Sequence, residues 1–190
     1  MRPVIAVIAA LLLPACLGPR VDASRYFTLP AAGPPAAGTP VASLGLGPVT
    51  LPPYLCRPEV ATRIGPEQIG YSTNDRWAAP LEDLAVQALG EELRARLPAR
   101  DLLRWPWPLG TPPEVTASVE FLRFEGDAAG GATIHARWTV STRGRPPVTG
   151  ETRLHEPGAP GDVPGSVAAL GRTLGALAAD LARTARGAGG

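Results

Sequence analysis

The chain contains no lysine, so all 18 of its basic residues are arginines, and 17 acids nearly balance them. With a net charge of +1 and no basic cluster, it lacks the electrostatic footprint of a nucleic-acid-binding protein. Histidine is scarce as well. His135 and His155 lie on neighbouring predicted strands, with no cysteine or paired carboxylate at ligand spacing, so no metal set is formed. No Gly-x-Ser-x-Gly turn presents a nucleophile, and no glycine-rich loop is built to cradle phosphate. Glu82–Asp83 and Glu91–Glu92 are sequence neighbours on a predicted helix, so each pair points its carboxylates in different directions and reads as a solvated face. These absences predict a chain with no catalytic residue, cofactor or metal. No apolar run reaches the ~20 residues that cross a bilayer.

The one short apolar run is at the N-terminus. Arg2 supplies a positive charge, Val4 to Leu13 form an apolar stretch, and Leu13-Pro14-Ala15-Cys16 fits a bacterial lipobox. Residues 1–15 are therefore expected to be a signal peptide and Cys16 an acylated N-terminus, whose several acyl chains hold a membrane far more firmly than one chain does. Leu17, where many inner-membrane lipoproteins carry aspartate, favours the periplasmic face of the outer membrane. Residues 16–22 form a short lipidated tether, residues 23–186 one domain and residues 187–190 a tail. The length and a 45% apolar content suit a single domain with a real core. The 23 prolines and 22 glycines approach a disordered composition, but the apolar periodicity argues for order. Once Cys16 is acylated, Cys56 is the lone thiol, which excludes an internal disulfide. A buried, inert side chain in the proline-framed turn is expected, with an intermolecular disulfide or an exposed, redox-sensitive thiol as the alternative.

Periodicity gives the element order β-β-β-β-α-β-β-β-α. Strands are predicted over 24–29, 41–51, 59–64 and 68–72, with a turn at Ser72–Asp75. Gly45 and Gly47 mark a bulge or a close backbone approach. A helix follows from Pro80 to Leu97, burying Leu81, Leu84, Ala85, Ala88, Leu89 and Leu93. Its early acids and its late Arg94 and Arg96 match the helix dipole. Leu102 to Pro108, with Trp105-Pro106-Trp107-Pro108, reads as an irregular connection. Strands at 115–124, 133–142 and 148–154 form an antiparallel meander, with a face switch near Leu122 and Phe124. Thr133–Thr142 alternates Ile134, Ala136, Trp138 and Val140 against polar residues. After a loop at 157–165, Val167, Leu170, Leu174, Leu177 and Leu181 form the stripe of a last helix, capped by Asp162 or Ser166. That stripe is expected to dock on the sheet. The fold predicted is an α/β single-domain sandwich with a mixed, largely antiparallel sheet and two principal helices.

Two stretches carry a resemblance. The segment LGLGPVTLPPYLCRPEVATR at 44–63, followed by RWAAPL at 76–81 and its helix, resembles the PqiC-type ABC-type transport auxiliary lipoprotein family. Position 56 departs from it, since the family usually has an acidic or other polar residue there. The resemblance covers most of the mature chain and implies a similar α/β domain. It also implies a non-catalytic accessory subunit of an envelope lipid-transport system, docking a periplasmic mammalian-cell-entry (MCE) domain partner of an inner-membrane permease and ATPase. The residues by themselves leave open an outer-membrane lipoprotein regulating a cell-wall synthase or secretion assembly, an apolar-ligand carrier, and a homo-oligomer.

Large or charged residues at element ends are the candidates for partner contact: Tyr54, Leu55, Arg57, Arg76 and Trp77. The alternative for Tyr54, Leu55 and Trp77 is that they plug the core at the sheet edge.

Overall fold

The computed structural model describes residues 22–31, 33, 40–108, 112–158 and 163–187. Its strands are β1 (Arg25–Phe27), β2 (Val41–Thr50), β3 (Glu59–Gly65), β4 (Gln68–Trp77), β5 (Ala99–Arg104), β6 (Val115–Asp127), β7 (Ala132–Thr142) and β8 (Val148–Glu156). The helices are α1 (Leu81–Arg96) and α2 (Val163–Gly187), and Pro53–Leu55 form one 3-10 turn.

β6 is the trunk of the sheet. β7 pairs antiparallel along its length, and β8 pairs antiparallel with β7. A strand has two edges, so the other edge of β6 is shared. β2 runs parallel to Val115–Glu120, while β3 runs parallel to Gly126 and Asp127. β5 lies parallel outside β2, β4 antiparallel outside β3, and β1 parallel outside β4. The sheet is thus mixed, with its longest ladders antiparallel. Between its β2 and β3 sections the chain leaves the ladder, and this excursion from Leu51 to Pro58 frames the site described below.

The two helices pack against each other; α2 crosses β6, β7 and β8, and α1 covers β2 and β5. The core is built from the predicted periodicities. On the sheet, Leu44, Leu46, Ala117, Val119, Ile134 and Ala136 are at most 2% exposed. Opposite them are Leu89 and Leu93 of α1 and the Leu170, Leu174, Leu177 and Leu181 stripe of α2. That stripe is covered within the chain, as its docking on the sheet requires. The register of β6 against β7 shifts between Phe121 and Arg123, which returns Phe124 to the core. The β2–β6 register shifts between Leu46 and Val49. Gly47 has φ +124°, a conformation that L side chains rarely adopt, and a Cβ there would lie 2.5 Å from that of Trp105.

Four local expectations are corrected. Ser72–Asp75 is not a turn: β4 continues to Trp77, because β1 pairs beside it and Asp75 finds its charge partner there. Ala99–Arg104, which includes the first half of the expected irregular connection, is edge strand β5. Glu91 is solvated but Glu92 is 2% exposed, facing α2 where Gly175 leaves room. It accepts the Gly33 N–H at 3.0 Å and pairs with Arg96. Ser166 is no cap, since α2 begins at Val163 and Ser166 is buried beside Gly126. Asp162 lies outside the described residues.

Trp138 lies across Gly150 on the neighbouring strand, its indole N–H donating to the Thr152 hydroxyl at 2.9 Å. A Cβ at Gly150 would approach the indole ring to 2.3 Å. Gly150→Ala is therefore expected to destabilise by about 1–3 kcal/mol, the usual cost of overpacking, read as an earlier urea midpoint at unchanged slope.

Candidate functional site

The excursion from Leu51 to Pro58 is shaped by proline. Pro52 is extended (φ −57°, ψ 140°) and Pro53 opens the 3-10 turn, where a missing N–H leaves no ladder bond unmade. The turn closes through Leu55 N–H to Pro52 O at 2.9 Å and Cys56 N–H to Pro53 O at 3.1 Å. Three residues per turn send Leu55 inward, 3% exposed, and leave Cys56 outside. The expected buried thiol is thus corrected: Cys56 is exposed.

Tyr54 reaches the other way. Its half-buried hydroxyl donates to Glu125, whose side chain is fully buried and also receives the Arg63 guanidinium. Arg123 Nε adds a third donor at 3.1 Å. Burial first, and the Glu125 carboxylate second, push the Tyr54 phenol well above its ordinary range, so it stays a donor. The Tyr71 hydroxyl donates to the Tyr54 carbonyl at 3.1 Å, and the Arg57 guanidinium sits 4.3 Å from the Tyr71 ring centroid. Arg57 Nε also donates to Glu59 at 3.2 Å, and Arg76 approaches the same carboxylate at 3.8 Å.

Trp77, 5% exposed, is tied to the excursion by its backbone N–H, which donates to Pro58 O at 2.7 Å. Between the excursion and the first turn of α1 a cleft of about 600 Å³ opens. Leu51, Leu55, Trp77 and Leu81 give it an apolar lining; Arg57 and Cys56 stand on one bank, Glu82 and Asp83 on the other. Of the predicted contact residues, Leu55, Arg57 and Trp77 therefore meet at one cavity. Leu55 and Trp77 are also core residues, while Tyr54 and Arg76 brace the excursion through Glu125 and Glu59. Cys16 lies outside the described residues. Sequence reasoning missed Glu125, and it read Glu82 and Asp83 only as a solvated helix face.

Elsewhere both histidines have polar partners. His135 Nε2 lies 2.7 Å from Glu151, and His155 Nδ1 lies 3.1 Å from the Thr133 hydroxyl. A second depression, of about 620 Å³, is lined by Glu120, Arg137 and Glu151, of which Arg137 and Glu151 pair at 3.5 Å. Asp75, 5% exposed, accepts Arg25 Nε at 2.6 Å and the Ser72 hydroxyl at 2.8 Å. The Arg25 hydrogen bond, outweighing burial, holds its carboxyl below the usual range. A depressed folded-state pKa stabilises above the unfolded value, about 3.9, and is lost as pH falls through the folded one. Asp75→Asn is expected to cost about 1–2 kcal/mol at pH 7, discounted for the exposed Arg25. The gap from wild type should close below about pH 4 in acid-dependent urea melts.

Among the described residues, no helix is long and apolar enough to cross a membrane. The model of the ABC-type transport auxiliary lipoprotein component family matches residues 27–182, from the end of β1 into the last turns of α2. The chain belongs to this family. Its match takes in the excursion, the cleft and both helices. Two crystal structures share the fold of this transport auxiliary lipoprotein. One, of an uncharacterized protein, has TM-score 0.69 at 22% identity and covers 84% of this chain and 97% of its own. The other, of a Xanthomonas campestris protein, has TM-score 0.68 at 16% identity and covers 85% and 95%. No curated protein sequence is detectably similar to the chain.

Proposed function

We propose that this auxiliary lipoprotein is a non-catalytic accessory subunit of an envelope lipid-transport system. It is anchored through acylated Cys16 at the periplasmic face of the outer membrane and docks an MCE-domain protein there. That partner connects in turn to an inner-membrane permease and its ATPase. The observation that carries the reading is the family match over nearly the whole domain. Tether length supports it: a chain spans at most ~3.6 Å per residue, so the few residues between Cys16 and β1 keep the domain close to the bilayer. Residues 23–186 are proposed as the working domain.

The test is affinity purification of the tagged protein from gently cross-linked native membranes, with bound proteins identified by mass spectrometry. Recovery of an MCE-domain protein is the expected result. Recovery of a cell-wall synthase or a secretion component in its place would overturn the transport reading.

A further inference from the structure

We infer that the cleft between the Leu51–Pro58 excursion and the first turn of α1 receives a partner segment carrying one large apolar side chain beside a lysine or arginine. The inference rests on the docking function proposed above and names the surface that does the docking.

The shape comes first. Leu55, Trp77 and Leu81 are 3–5% exposed and belong to the main core, so the apolar lining is held in place before anything binds. The proline-framed 3-10 turn fixes the bank that carries Arg57. A preformed wall spares the partner the cost of ordering it. A volume of about 600 Å³ falls in the range of small-ligand pockets and accepts one large side chain with its neighbours.

Charge selects the occupant. On one bank Arg57 stacks on Tyr71 and shares the Glu59 carboxylate, 3.2 Å away, with Arg76 at 3.8 Å, which does not line the cleft. On the other, Glu82 and Asp83 are exposed and form no ion pair among the described residues. The positive end of the α1 dipole is worth roughly half a charge, so it offsets only part of their two negative charges. That bank stays negative beside an apolar hollow. An acidic segment or a lipid phosphate has the wrong sign for it, and an uncharged apolar ligand leaves it unused. An apolar anchor flanked by a cation satisfies both parts, and such anchors dominate the energetics of protein interfaces.

Cys56 supplies the test. It is exposed on the rim, and with Cys16 acylated it is the single thiol of the chain. The acylated full-length protein is labelled there with a benzophenone maleimide, returned to membranes lacking the endogenous copy, and irradiated. The expected product is a cross-link to one protein, at a segment where a large apolar residue adjoins Lys or Arg. Glu82→Lys with Asp83→Lys should cut its yield at least tenfold, and replacing the partner's cation with Glu should restore it. Glu82→Gln with Asp83→Asn, which disturbs the helix less, should lower the yield by a smaller factor. A cross-link to lipid, to residues 17–21 of the same chain, to a protein whose yield ignores these charges, or no cross-link at all overturns the inference. If the double Lys variant still co-purifies the transport partner at full yield, the cleft inference fails and the proposed function stands. If no transport partner co-purifies while Cys56 still captures a cationic, apolar segment of another protein, the function fails and the cleft inference stands.

Discussion

Replacing Arg63 with Met is expected to lower the free energy of unfolding by about 3 kcal/mol, and adding Glu125→Leu to recover at least half of it. The Glu125 side chain is fully buried, and Arg63, 21% exposed, is its main charge partner. Taking a carboxylate out of water costs several kcal/mol, which is offset only while its partners remain. With Arg63 gone, Arg123 (39% exposed) and the Tyr54 hydroxyl still hold the charge, which keeps the expected loss at the low end of the ~3–5 kcal/mol range for broken buried pairs. With both charges gone, leucine fills the space and Tyr54, half-buried, can turn to water. Urea melts of the two single variants and the double variant measure the coupling. If the double variant loses the full sum of the singles, the pair is not what stabilises this corner. Because Tyr54 belongs to the excursion, the same loss should loosen the bank of the cleft.

The second large effect concerns Cys16, and it is a matter of all or nothing. Cys16→Ala should abolish incorporation of a clickable palmitate analogue. Replacing residues 1–16 with an ordinary cleavable signal peptide should move the protein from the membrane pellet to the soluble periplasmic fraction. Several acyl chains anchor far more stably than one, and among the described residues no helix is long and apolar enough to replace them. Persistence in the membrane pellet without Cys16 would place the attachment elsewhere.

Much of the fold is legible in the sequence where periodicity is long. Ile134, Ala136 and Val140 alternate on one face of β7, and the leucine stripe of α2 keeps its spacing across several turns; all are buried as predicted. What escapes is set by distant partners. β5 carries Arg100 and Asp101 outward and lies at a sheet edge, so its strand character comes from pairing with β2 rather than from its own pattern. Ser72–Asp75 has turn-like composition, yet β1 pairs Arg25 with Asp75 and extends the strand. Glu91 and Glu92 differ by one helical step of about 100°, enough to put one in water and the other against α2. Glu125 is buried because the Leu51–Pro58 excursion sends Tyr54 to it across the sheet, a contact 71 residues apart that no local pattern records. The site divides in the same way. Leu55, Arg57 and Trp77 could be singled out as large groups at element ends, whereas Glu82 and Asp83 become a bank only when the excursion folds opposite them.

The most direct test of the account is co-flotation. The acylated protein is reconstituted into liposomes, an MCE-domain protein recovered by the affinity purification proposed above is added in purified form, and the mixture is floated on a density gradient. The account predicts that the partner rises with liposomes carrying the acylated protein and stays at the bottom with liposomes mixed with the unacylated form. A partner that rises equally with bare liposomes, or that never rises with the lipoprotein, would contradict docking by a tethered auxiliary subunit.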